Sequence, residues 1–147
     1  MTEANQTLHI DAELSKARGS WAAASALLGL GLYDEAISSM YYAIYHQACA
    51  ALLLQGVEAE SHRGLQSLVA LHLVKSGLVE PACSRLLAEM YSLRNQADYN
   101  RHFHLDAAGA NEEVARGVRL AAAFDNYLLA QGCGVLGPLP RGFAEVG

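Results

Sequence analysis

The chain has 147 residues, 15 acidic against 10 basic, a formal net charge of −5 and 52% hydrophobic residues. That hydrophobicity excludes intrinsic disorder, which needs few apolar groups and high net charge, and the negative charge excludes a polybasic nucleic-acid coat. The length gives one domain able to bury a core without a disulfide or metal. Ala and Leu together number 49, whereas Val, Ile and Thr number 13 and prolines stand only at Pro81, Pro138 and Pro140. Such a composition is helical.

A first helix is predicted from about Leu8 to Leu30, where Leu14, Ala17, Trp21, Ala24 and Leu28 recur at three or four residues, with Gly29 and Gly31 marking its end. Asp34 and Glu35 then fall in the first turn of a second helix, where negative charge suits the helix dipole. This helix runs to about Gln55 and ends at Gly56. Ser61 caps a short third helix through Val74, closed by the Ser76-Gly77 turn. Pro81 opens a fourth helix that continues to about Asn100. Residues 101–106 read as a loop or an irregular end, and Asn111 is a candidate cap for a fifth helix reaching Gln131. Residues 1–131 thus read as one helical domain. Residues 132–147, with five glycines and two prolines, read as a flexible or loosely docked tail. Short links between long helices favour antiparallel neighbours, so the expected architecture is all-α, an up-and-down bundle of four or five helices.

The longest charge-free run, Ala36 to Val57, covers 22 residues and would measure about 33 Å as a helix. Ser38, Ser39, His46, Gln47 and Gln55 interrupt it, which suits a helix buried in a bundle or dimer better than one facing lipid. No membrane role is expected. The polar start MTEANQ does not read as a signal peptide. Cys49, Cys83 and Cys133 are odd in number and form no CxxC, the usage of free thiols in a reducing cytoplasm.

Chemistry concentrates on the fourth helix, PACSRLLAEMYSLRNQADYN. Leu86, Met90, Leu93 and Ala97 form its expected core stripe, while Tyr91, Arg94, Asn95 and Asp98 fall on an adjoining face. Tyr99, Arg101, His102 and His104 follow at once. The plainest account is an Arg94–Asp98 pair on a wet face, but base-before-acid is the less stabilising order at i,i+4, and such pairs contribute only a few tenths of a kcal/mol. His102 and His104 diverge on a helix and have no third ligand nearby, so neither a metal nor another cofactor is expected. Tyr41, Tyr42, Tyr45 and His46 make an aromatic patch, read as core or dimer interface ahead of a base-stacking platform. His62, before Arg63-Gly64, reads as a turn or helix-start residue ahead of one that touches phosphate.

The segment GLYDEAISSMYYAIYHQACAALLLQGVEAESHRGLQSLVALHLVKSGLV followed by LRNQADYN resembles the HEPN superfamily, in particular its small stand-alone bacterial and archaeal branch. The shared pattern is an Ala-rich first helix, G-L-Y-D-x-A, a Y-Y-A-x-x-H-like run, an S-H-x-G-L turn and R-x-x-A-D-Y, and it spans roughly Leu8 to Gln131. The resemblance implies a helical bundle that forms a two-fold homodimer, paired with a minimal nucleotidyltransferase that acts as its antitoxin. It implies a toxin-like, metal-independent endoribonuclease, with RNA as the substrate and no DNA-specific binding. The family motif is Arg, a polar residue and then His. Arg94 and Asn95 match its first two positions, whereas His102 follows Arg94 after seven intervening residues, longer than the family spacing, and Tyr99 stands nearer. Arg94, Asn95, Asp98, Tyr99 and His102 are therefore the candidate catalytic residues. A second reading stays open, in which the chain is a non-catalytic helical module binding a nucleotide or substrate for the transferase. So does a third, a structural domain in which Arg94 and Asp98 pair.

Overall fold

The computed structural model describes residues 2–133, and the expected tail lies outside them from 134 onward. Five α-helices follow in order: α1 Glu3–Gly29, α2 Tyr33–Leu54, α3 His62–Val69, α4 Ala82–Tyr99 and α5 Ala107–Ala130. No strand occurs among the described residues. The all-α architecture expected from composition is the one found. Helix α3 continues as a π-helical turn, Ala70–Val74, in which the Lys75 N–H reaches the Ala70 carbonyl at 2.9 Å.

Helix α2 is central, packing on α1, α4 and α5. Thirteen of its residues are buried, which accounts for the long charge-free run. No helix among the described residues is long and apolar enough to cross a membrane. The polar interruption at Gln47 is fully buried and satisfied. Its Oε1 accepts from Trp21 Nε1 at 2.9 Å, and its Nε2 donates to Asp125 Oδ1 at 3.1 Å, tying α1, α2 and α5 together.

The connections follow from local chemistry. Beyond α1, Gly31 adopts φ 74°, its N–H bonding the Leu28 carbonyl and that of Leu32 bonding Leu27. Gly56 closes α2 in the same way, with Val57 N–H on the Leu52 carbonyl at 3.1 Å. Two boundaries differ from expectation. Helix α1 begins at Glu3, five residues before Leu8, because Thr2 Oγ1 caps it by accepting from the Asn5 N–H at 3.2 Å. Helix α5 begins at Ala107, because Asp106 and not Asn111 is its cap, accepting from the Gly109 N–H at 2.8 Å. Asp34 also does more than compensate a dipole. Its carboxylate accepts from the Leu105 N–H at 2.9 Å and lies 3.1 Å from His104 Nδ1, fixing the α4–α5 connection to the start of α2.

Candidate functional site

The buried stripe of α4 is Cys83, Leu86, Leu87, Met90 and Arg94, turned away from the expected Leu93 and Ala97, which are half-buried. Cys83, Leu87, Met90 and Arg94 recur at four-three-four spacing, so Arg94 stands where a core residue would. Only 6% of it is exposed, which overturns the wet-face pair as its account. The guanidinium projects into the aromatic patch of α2. Its central carbon lies 5.6 Å from the Tyr41 ring, 5.2 Å from Tyr42, 5.6 Å from Tyr91 and 5.9 Å from Tyr99, within cation–π range of all four. Nη1 donates to Asn95 Oδ1 at 3.0 Å and lies 3.6 Å from Asp98 Oδ2, while the buried Nε has no hydrogen-bond partner among the described residues. A good charge-assisted bond is nearer 2.8 Å. Among the described residues, Asn95 and Asp98 thus leave part of the guanidinium's hydrogen-bonding capacity unused.

The patch also holds His62, the first residue of α3. Tyr41 Oη and His62 Nδ1 are 2.8 Å apart, the imidazole stacks on Tyr91 with centroids 5.3 Å apart, and Tyr45 lies 4.9 Å away. Arg94 and His62 thus share the rings of Tyr41, Tyr42 and Tyr91. Burial holds the imidazole below its ordinary range, and the nearby Arg94 charge pulls the same way. Burial pushes the Tyr41 phenol well up, against the pull of Arg94. Both groups are therefore neutral near neutral pH. Tyr41 Oη can donate to Nδ1 or accept from it, and either choice leaves Nε2 for another partner.

The other expected residues are placed as follows. Asn95 and Asp98 contact the guanidinium, and Tyr99 covers it with a ring that is itself 77% exposed. His102 lies in the exposed turn after α4. Its backbone N–H donates to Asn100 Oδ1 at 3.0 Å, and its ring has no hydrogen bond, ion pair or ring contact among the described residues. Sequence reasoning singled out His62 but not its place in this cluster, because its partner is 21 residues away across two helices. The signal was present: the Tyr41–Tyr42–Tyr45 run and the S-H-x-G-L turn belong to one pattern.

Elsewhere, His46 turns from Tyr42 toward α1, its Nδ1 lying 2.6 Å from Glu13 Oε2. Burial, aided by Glu13, pushes the Cys49 thiol up to about 12, and burial pushes Cys83 up to about 11, so neither is a ready nucleophile. A concavity of about 480 Å³ between residues 77–80 and α5 lies apart from this cluster, and its charges, Arg119 and Glu80, are already paired at 2.9 Å. Chemistry and concavity do not coincide here, and the buried guanidinium is the more specific indicator.

The family model described as HEPN domain matches residues 11–128. Among curated relatives, Putative toxin MJ0605 of Methanocaldococcus jannaschii is 34% identical over 61% of this chain and 67% of its own length. A UPF0332 protein of Archaeoglobus fulgidus is 32% identical over 69% of this chain and 74% of its own length. Putative toxin MJ0142, also of M. jannaschii, is 24% identical over 80% of each chain.

Proposed function

From the premise that this chain belongs to the HEPN domain family, we propose that it is a toxin-like, RNA-acting protein that cleaves RNA without a metal. The observation that carries the reading is Arg94, a buried guanidinium with one N–H lacking a hydrogen-bond partner among the described residues and a carboxylate at 3.6 Å. A phosphodiester is the kind of anion that a guanidinium holds at two oxygens. Cleavage that uses the ribose 2′-OH as nucleophile needs no nucleophile from the protein, but a proton acceptor, a proton donor for the leaving oxygen and positive charge where the phosphate gains charge. Arg94 supplies the charge, held by Asn95 and Asp98. The names of two relatives carry the word toxin, in keeping with this reading.

The chain works as a homodimer in this proposal. Tyr99, the last residue of α4, and His102, in the turn after it, are both exposed, and in this proposal they enter the cleft of a second copy. A minimal nucleotidyltransferase holds the toxin in check in the cytoplasm. The test is to express the chain alone and with the product of a neighbouring transferase gene, following growth and RNA integrity. Wild type alone should arrest growth and degrade RNA, and the partner should relieve both. Arg94→Ala should lower RNA cleavage at least about a hundredfold, the usual scale for one preorganised transition-state donor. Undiminished cleavage by Arg94→Ala would refute the reading. Binding of RNA without cleavage would favour a non-catalytic module.

A further inference from the structure

We propose that His62 is the general base of this site and that Tyr41 positions it; the inference rests on the RNA-cleaving reading above. His62 is the imidazole that shares three aromatic rings with Arg94. It is held from two sides, by the 2.8 Å bond to Tyr41 Oη and by the stack on Tyr91, whereas the His102 ring is held by nothing among the described residues. A proton-transfer group must be fixed within reach of the reacting atoms. His62 is so fixed within a single chain, against the same rings as Arg94.

The proposal takes one of the two tautomers that the bond allows. With Nδ1–H donating to Tyr41 Oη, the Nε2 lone pair is free to accept a proton. In the step proposed, the 2′-oxygen attacks phosphorus while its proton passes to His62 Nε2. The P–O5′ bond breaks, and the departing oxygen takes a proton from water. His62 returns its proton to the hydroxide so formed. The products are a 2′,3′-cyclic phosphate and a 5′-hydroxyl, and Arg94 holds the non-bridging oxygens throughout. A base must be unprotonated, and burial together with the Arg94 charge keeps the imidazole neutral. Activity should therefore fall only as pH drops through a value below the ordinary histidine range near 6.5.

The experiment uses the full chain with a short single-stranded RNA, comparing wild type, Arg94→Ala, His62→Gln, His102→Ala and Tyr41→Phe. His62→Gln should lower kcat at least about a hundredfold, and by at least about tenfold more than His102→Ala. Tyr41→Phe, which keeps the ring and loses the bond, should lower kcat several-fold with little change in KM. The acid limb of wild-type kcat/KM should lie below about pH 6.5. As a measurement independent of mutant folding, a non-cleavable 2′-O-methyl RNA should shift the His62 ring signals in the NMR spectrum of the wild type. If Arg94→Ala is inactive and His62→Gln cleaves at the wild-type rate, the assignment of His62 is wrong and the RNA reading stands. Unmoved His62 signals in the presence of the bound analogue overturn it likewise. A wild type that neither cleaves nor binds RNA overturns the reading and this inference together.

Discussion

An arginine only 6% exposed is normally met by a carboxylate at hydrogen-bond distance, and Arg94 has one at 3.6 Å. Desolvation costs several kcal/mol. Against it stand four ring contacts at 5.2–5.9 Å, near the outer limit of useful cation–π attraction and together worth about 2 kcal/mol or somewhat more. These terms nearly cancel, so Arg94 adds little to stability. Arg94→Met, which keeps the length and removes the charge, should change unfolding free energy by no more than about 1 kcal/mol while abolishing RNA cleavage. Urea denaturation read beside the cleavage assay checks both halves. A fall of several kcal/mol would instead mean that the buried contacts of Arg94 are chiefly structural. The residue was legible as important through R-x-x-A-D-Y, but its burial was not. Periodicity on α4 admits two stripes separated by a modest rotation, and only the tyrosines of α2 decide between them.

Helices carry glycine for opposite reasons in this chain, and the difference is measurable. Gly117 lies inside α5 where it crosses α2, and a Cβ there would run into Met40 Sδ and Cε in the fully buried core. Gly19 lies inside α1 on an exposed face with nothing near its missing Cβ. Gly117→Val should destabilise by about 1–3 kcal/mol through overpacking, whereas Gly19→Ala should stabilise by about 0.5–1 kcal/mol by relieving a helix-interior glycine. Chemical denaturation of the two variants beside wild type tests the pair of signs. Helix ends were legible where one residue type dominates the geometry, as at Gly31 and Gly56. They were misread where two capping residues competed. Asn111 and Asp106 both suit a cap, and Asp106 wins because the four residues after it, Ala107 to Ala110, are helical and one of them, Gly109, supplies the N–H that Asp106 accepts. His62 is the harder case. An i,i+21 contact between two helices leaves no periodic trace, so its place beside Arg94 emerges only from the packing of α3 on α2 and α4.

Net charge at the scale of the whole molecule constrains how RNA can be held. With −5 overall, diffuse attraction for phosphates is weak, and among the described residues few basic groups flank the site in sequence. Arg85 is taken up by Glu89 at 3.2 Å, which leaves buried Arg94 with exposed Arg63 and Arg101 as the cations of this region. One to three phosphates can be neutralised per chain. For single-stranded nucleic acid, each neutralised phosphate steepens the salt dependence by about 0.7 in log–log terms, so the slope for one site should lie between about −0.7 and −2. A two-fold dimer with both Arg94 groups in one cleft should about double it. Fluorescence anisotropy with a labelled 2′-O-methyl RNA, titrated across salt concentrations, gives the slope, and light scattering of the same sample gives the mass. A slope much steeper than −4 would mean contact with a phosphate-binding surface other than the Arg94 cluster, and the local reading of binding would fail. A shallow slope carries a consequence for specificity. Where so little affinity comes from counterion release, most of it must come from the tyrosine rings and from the fit of one phosphodiester against Arg94, and both of those discriminate between RNA sites in a way that diffuse charge does not.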